Sequence, residues 1–251
     1  MPLSVVVISH DAAAQIEACL SSVSFADEIL VVDSGSTDQT LDIAHKLGAR
    51  VLEKEWLGFG RQKQFAVAAA ANDWVLCLDA DERVSEALKA AILAELAAPR
   101  ANACAMARCN RFLGRWLRHG EGYPDWSVRL FHRGHARWSE DAVHEKVLSD
   151  EPPLRLTGDL LHDSAESLHK YLEKQNRYTT LQAAQLLAVG HNGGVGYLLF
   201  SPLLRFVKFY LLHRGFLDGL PGLIHISIGC MNSFNKYAKL MALTKQAGTV
   251  R

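Results

Sequence analysis

The sequence predicts an α/β fold: a Rossmann-like, mostly parallel sheet with helices on both faces, followed by a C-terminal helical tail. Three observations predict it. Apolar runs such as Ile29-Leu30-Val31-Val32 and Trp74-Val75-Leu76-Cys77-Leu78 lack polar alternation and read as strands buried on both faces. They alternate with helical stretches, the pattern of a parallel sheet. Asp33 and Asp79 each close such a run, and ligands of open parallel sheets bind outside the carboxyl ends of the strands.

Leu3-Ser4-Val5-Val6-Val7-Ile8-Ser9 is the first strand, and Ala12 to Val23 carries Ile16, Leu20 and Val23 at helical spacing. Glu28 to Val32 is the second strand. Thr40 to Leu47 is helical and stops at Gly48, a helix C-cap. Arg50-Val51-Leu52 is a short strand, Arg61 to Ala71 an Ala-rich helix, and the run from Asp73 to Leu78 a buried strand. Val128 to Phe131 and Ala136 to Trp138 are spaced like a hairpin. The character changes after about Ser167, and the chain divides into an α/β domain, 1–165, and a helical region, 166–251. In the latter, Leu168 to Val189 is a long helix and Gly193 to Gly196 breaks it. Tyr197 to Leu212 is apolar, aromatic and sparsely basic, and Leu220 to Met231 is a second apolar segment. Neither reaches an uninterrupted apolar span of about 20 residues. The two readings are an interfacial helix on a membrane surface and a docked helix or oligomer contact.

Asp79-Ala80-Asp81 ends the buried strand. Strand alternation aims both carboxylates the same way, roughly 6–7 Å apart, where they repel each other and are costly to desolvate. A divalent cation removes both problems, and Mg²⁺ or Mn²⁺ takes carboxylates together with substrate phosphates. The alternative is a solvated pair before a helix. Asp33-Ser34-Gly35-Ser36-Thr37-Asp38 joins the second strand to its helix. Gly35 permits a turn with positive φ, and Ser36 with Gln39 fits a capping box. The Asp33 carboxylate can accept the imide N–H of uracil, and the hydroxyls can hold a ribose. No dinucleotide or P-loop fingerprint occurs.

These motifs, with Gly58-Phe59-Gly60-Arg61-Gln62-Lys63, Tyr123-Pro124-Asp125-Trp126-Ser127-Val128-Arg129-Leu130-Phe131, Val143-His144-Glu145, His162 and Lys174-Gln175-Asn176-Arg177-Tyr178, resemble glycosyltransferase family 2 with the GT-A fold. Within it the resemblance is to lipopolysaccharide core β-1,4-glucosyltransferases. It implies a metal-dependent, inverting transfer of a hexose, glucose from UDP-glucose, to an inner-core heptose. Donor contacts are then expected at Ser9, Asp11, Asp33, Gly35, Ser36, Arg61, Lys63 and Asp79, and metal ligands at Asp79, Asp81 and His162. Two departures stand out: Ser9-His10-Asp11 where the family carries a Thr/Lys-Asn-Glu type sequence, and Gln64 where Asn is common.

Inverting transfer needs a base beside the acceptor hydroxyl. Asp125 is the first choice and Glu145 the second, with Glu121 and Asp141 behind them. Trp126, Arg129 and His144 are expected on the acceptor, and Arg108, Arg111, Arg115, Arg118, Arg133 and Arg137 suggest a basic face for its anionic groups. The 27 Lys and Arg balance 27 Asp and Glu, so no global field favours nucleic acid. Five scattered cysteines read as reduced core thiols. No signal peptide is read at the N-terminus, so the expected location is the cytoplasm, peripheral on the inner membrane. The rival readings are transfer to polyprenyl phosphate, a non-catalytic glycan-binding module, and a nucleotidyltransferase.

Overall fold

A computed structural model describes residues 1–141, 145–164 and 167–249. The chain forms two compact units, Met1–Cys109 with Pro124–Asp163, and Asn110–Tyr123 with Ser164–Arg251.

In the first unit the order is β1 (Leu3–Ser9), α1 (Ile16–Ser22), β2 (Glu28–Asp33), α2 (Thr40–Lys46), β3 (Arg50–Glu53), α3 (Phe59–Ala69), β4 (Trp74–Asp79), β5 (Glu82–Val84) and α4 (Glu86–Ala97). Then come β6 (Ala103–Phe112), whose end enters the second unit with β7 (Arg115–Trp116), and β8 (Asp125–His132), β9 (Ala136–Trp138), β10 (Val147–Ser149) and β11 (Leu154–His162). The main sheet runs β3-β2-β1-β4-β8-β6-β11-β5. Its first four strands are parallel, and β8 then turns the sheet antiparallel against both β4 and β6.

Every residue of β1 is buried, as expected for a parallel strand covered on both sides. Alternation divides its side chains between two cores. Val5 and Val7 join Leu76, Leu78 and the inner residues of α1, α2 and α4. Val6 and Ile8 join Val75, Cys77, α3 and Trp138. Register places Ser9 beside Asp33 and Ile8 beside Asp79, so the carboxyl ends of β1, β2 and β4 meet at one edge.

Three expectations change. The first helix begins at Ile16 rather than Ala12, because the amides of Ala12 and Ala13 donate to Thr40 Oγ1 (2.8 Å) and Asp38 Oδ2 (3.0 Å). The Ser36 capping box does not form. The Ser36 hydroxyl bonds Asp33, and α2 starts at Thr40, whose amide donates to Asp38 Oδ1 at 3.0 Å. Residues 128–131 and 136–138 are not a hairpin: β8 is claimed by β4 and β6, while β9 pairs with β10.

In the second unit, Arg111 and Phe112 pair with Trp116 and Arg115 across a two-residue turn, Leu113-Gly114. Both turn residues have positive φ, 47° and 81°, the geometry of a tight hairpin turn. Helices α5 (Leu168–Ala188) and α6 (Val195–Phe206) pack on the long α7 (Gly219–Thr249). A π-helical turn, Val207–Leu212, continues α6, and a 3₁₀ turn, Gly215–Asp218, leads into α7. Together α6 and the π turn make an 18-residue stretch, Val195–Leu212, of mean hydropathy 1.4. This is long and apolar enough to cross a membrane by length and composition, more than the sequence pattern suggested.

Candidate active site

At the carboxyl edge of the parallel strands lies a cavity of about 710 Å³, lined among others by Ser9, Asp11, Ser34, Asp79, Asp81 and His162. Its rim is two loops laced together. The Asp11 amide donates to Ser36 Oγ (2.8 Å), and the Thr37 amide donates to Asp11 Oδ1 (2.8 Å). Asp11 adopts φ 46° to reach this position. Asp33 lies beneath, fully buried. Its Oδ1 accepts from the amides of Gly35 (2.9 Å) and Ser36 (2.7 Å), and its Oδ2 from the hydroxyls of Ser9 (2.7 Å) and Ser36 (2.5 Å). Burial alone would raise its pKa, but these four donors outweigh it and hold the carboxyl below its ordinary range. In this geometry Asp33 organises the loop, and Ser34 above it faces the cavity.

The two aspartates of Asp-Ala-Asp part company. Strand alternation ends at Asp79, and Asp81 lies in the turn before β5. Both line the cavity, with different partners. Asp79 faces two buried cations: Lys63 Nζ lies 3.0 Å from Oδ1, and Arg129 Nη2 donates to Oδ2 at 3.0 Å. Burial would raise the Asp79 pKa, yet the charges of Arg129 and Lys63 overcome it and set the value at about 2. Its Oδ1 is buried without a well-formed hydrogen bond. Asp81 Oδ2 instead meets His162 Nε2 at 3.2 Å on the cavity wall.

Behind Asp79 a chain of alternating charge crosses the sheet. Lys63, 3 % exposed, also contacts Glu145 Oε1 at 3.1 Å. Arg129, 5 % exposed, donates to Glu82 Oε1 at 2.7 Å, and Glu82 Oε2 accepts the Asp79 amide at 3.0 Å. Arg108 stands 3.8 Å from Glu82 and 2.7 Å from Asp125 Oδ2. The order Glu145–Lys63–Asp79–Arg129–Glu82–Arg108–Asp125 draws on α3, β4, β8, β5 and β6, of which β4, β8 and β6 are neighbours in the sheet. Buried charges are tolerated only when paired in this way. Trp138 backs both Lys63 (4.8 Å to the ring centroid) and Arg129 (5.6 Å). Gly60 lets α3 approach closely, because a Cβ there would meet the Ser139 carbonyl at 2.3 Å.

The expected site residues thus divide. Ser9, Asp11, Asp79, Asp81 and His162 line one cavity. Gly35, with φ 90°, and Ser36 shape its rim. Arg61 is exposed, 3.6 Å from Glu140. Arg129 is buried in the charge chain rather than presented to an acceptor, while Trp126 is exposed with the Arg155 guanidinium 4.7 Å above its ring. His144 lies outside the described residues. Of the arginines, Arg133 is tied to Asp73 and the Ala70 carbonyl, and Arg115 to the Leu217 carbonyl. Sequence reasoning missed His10, Gln15, Ser34, Trp56 and Phe59 on the cavity. The last two had a signal, large aromatic residues in a linker around Gly58. They meet edge to face at 4.8 Å and are about half exposed. Cys77 is buried and accepts from Trp138 Nε1. Burial pushes its thiol up to about 12, as it does that of Cys104, so both stay protonated.

Among the described residues no three His, Cys, Asp or Glu side chains converge as a preformed metal site. Asp81 and His162 supply one oxygen and one nitrogen donor at the cavity. This fits a hard divalent cation that takes its remaining ligands from phosphate oxygens and water.

Residues 4–147 match the Glycosyl transferase family 2 pattern. A lipopolysaccharide core biosynthesis glycosyltransferase of Rhizobium meliloti is 30% identical over 96% of this chain and 92% of its own length. A glycosyltransferase of Rickettsia typhi is 29% identical over 99% and 89%. Among solved structures, glucosyl-3-phosphoglycerate synthase of Mycobacterium tuberculosis, in complex with Mn²⁺, UDP and glucosyl-3-phosphoglycerate, matches 44% of each chain at 27% identity and a TM-score of 0.37. Staphylococcus aureus TarS, residues 1–349 with UDP-GlcNAc, matches 98% of this chain and 92% of its own at 16% identity and a TM-score of 0.49. The mixed sheet with helices is that of a GT-A enzyme, and the matched family is one of sugar transferases. The chain belongs to glycosyltransferase family 2.

Proposed function

We propose that this transferase moves a hexose, glucose from UDP-glucose, with inversion onto a heptose of the lipopolysaccharide inner core, in the cytoplasm at the inner membrane. The supporting observation is the joint presence of Ser9, Asp11, Asp79, Asp81 and His162 on one cavity. The lipopolysaccharide core relative supports the acceptor class. The unit built on residues 1–109 and 124–163 is the one read as carrying the donor site. Asp81 and His162 would hold Mg²⁺ or Mn²⁺, which when bound offsets the negative charge of the leaving diphosphate. Asp79, on the cavity wall with Lys63 and Arg129 behind it, suits a ribose hydroxyl. The Ser34–Ser36 loop, held by Asp33, takes the uracil and ribose side.

The acceptor hydroxyl attacks the anomeric carbon while its proton passes to a carboxylate. Of the two candidates, Glu145 gains weight from geometry, because the ammonium that holds it also holds Asp79. Asp125 stands at the far end of the charge chain. Transfer to polyprenyl phosphate is the second reading. One observation favours it: both carboxylates are paired to cations, and an anionic acceptor needs no base.

The test is a screen of nucleotide sugars for donor hydrolysis and for transfer to heptose-terminated core acceptor, with Mg²⁺ and with Mn²⁺. UDP-glucose should be turned over, and excess chelator should stop it. Full activity in chelator removes the metal assignment, and turnover with polyprenyl phosphate alone moves the acceptor to the second reading.

A further inference from the structure

The chain is neutral overall, but its charge is divided. Residues 174–251 hold nine Lys or Arg and one acid, Asp218. That acid is buried, 2 % exposed, with its carboxylate on the amide and ring of His119, so it contributes no anionic surface. Within this basic stretch α6 has one docked face and one outward face. On the docked face Ser201 and Ser233 of α7 share a hydrogen bond of 2.7 Å, and Arg205 Nε donates to Glu121 at 3.0 Å. On the outward face Phe200, Leu203, Leu204 and Val207 recur at spacings of three and four, and the π turn adds Leu211 and Leu212. No residue of α6 or of the π turn is buried, and Leu204 and Leu212 are 66% and 73% exposed. Lys208 and Arg214 are exposed at the border of this face.

We infer that α6 and its π turn lie in the headgroup region of a bilayer rich in anionic lipid, with the Phe200–Leu212 face against the acyl chains and Lys208 and Arg214 among the headgroups. Charge complementarity selects the occupant. A second copy on this face would bring the Lys208 and Arg214 borders of two copies together, whereas an anionic lipid surface attracts them. The apolar face with basic borders is the composition of interfacial helices. Arg205 and Lys208 within the stretch argue for lying on the surface rather than crossing it. This inference rests on the second unit alone and stands whichever donor and acceptor the enzyme uses.

The test is flotation of the purified full chain with vesicles of equal parts phosphatidylcholine and phosphatidylglycerol, against pure phosphatidylcholine. Binding is expected to the mixed vesicles and to fall steeply with added salt. Lys208→Gln should weaken it about fivefold, the worth of one basic residue near an anionic surface. Leu204→Asp should abolish it with far-UV circular dichroism unchanged, and Phe200→Asp should repeat the loss. Equal binding to both vesicle types, no binding to either, or resistance to alkaline carbonate extraction overturns the inference. So does a solution dimer that Leu204→Asp dissociates.

Discussion

Replacing Arg129 by Met tests whether the charge chain behind Asp79 holds the first unit together. Arg129 is 5% exposed and donates to Glu82, itself fully buried, at 2.7 Å and to Asp79 at 3.0 Å. Burial would lower the Arg129 pKa, but Glu82 and Asp79 raise it further still, so the cation is firmly retained. Met fills a similar volume but leaves the Glu82 and Asp79 carboxylates short of one positive charge. Breaking a buried pair from one side costs about 3–5 kcal/mol, a large share of a total stability of about 5–15 kcal/mol. Adding Glu82→Gln removes one of the stranded charges. Its amide oxygen can still accept the Asp79 N–H. The double variant should therefore be more stable than the sum of the single losses by about 2 kcal/mol, within the range for directly contacting residues. Urea denaturation followed by tryptophan fluorescence measures this, since Trp56, Trp74, Trp126 and Trp138 lie in the first unit and only Trp116 in the second. A loss under about 1 kcal/mol, or strict additivity of the two changes, would show that water reaches the pair and refute the reasoning.

Glu145→Gln should lower kcat by roughly 10²–10⁴-fold with UDP affinity nearly kept. If Asp125→Asn does so instead, the base is Asp125, and if neither does, the acceptor is an anion. Asp33→Ala should weaken UDP binding by about 1.5–3 kcal/mol through disorder of the Ser34–Ser36 loop, and calorimetry showing unchanged affinity removes Asp33 from the donor site. Asp81→Ala should abolish transfer and leave the urea midpoint unchanged, whereas Asp79→Ala should lower both; equal midpoints for the two variants would contradict the division between them. Glu28 gives a pH test. Burial opposes its ionisation, but the Ser4 hydroxyl (2.5 Å), the Ala71 amide (2.7 Å) and Arg50 (2.7 Å) prevail and lower its pKa. The stability it contributes is full above its unfolded value of about 4.3 and is lost as pH falls through its lower folded value. Glu28→Gln should therefore cost stability at neutral pH and converge with the parent in acid; a pH-independent difference excludes the linkage.

The parallel half of the fold was legible because a strand buried on both faces must be apolar throughout, and Val5 to Ile8 and Val75 to Leu78 are. The antiparallel half was less so. β8, Asp125–His132, mixes charge with apolar residues because Arg129 points into the charge chain, and no local pattern announces that. The pairings of that chain span 47 residues between Glu82 and Arg129 and 82 between Lys63 and Glu145, beyond any local spacing rule. The loop after β2 misled for a different reason. Ser36 satisfies a capping pattern locally, but Asp33 and the Asp11 amide compete for the same hydroxyl and win. The basic tail was readable from composition. It stayed hidden because a sum over the whole chain cancels to zero.

Two carboxylates one residue apart look equivalent in a sequence, and the strand end separates them. While the chain is extended, alternate side chains share a direction, and both would have to share one counter-charge. Because β4 stops at Asp79, Asp79 stays level with β1 and β8 and is neutralised from inside, by Lys63 from α3 and Arg129 from β8. Asp81, in the turn, meets His162 from the end of β11, which pairs with β5 immediately after that turn. Neutralising Asp79 internally lets the sheet edge keep its shape before any donor arrives. Among the described residues Asp81 meets the His162 imidazole, and under the proposed function its carboxylate is the one offered to a cation. Under the proposed function, preorganisation falls to Asp79 and metal capture to Asp81, which fits the cations Lys63 and Arg129 buried behind Asp79.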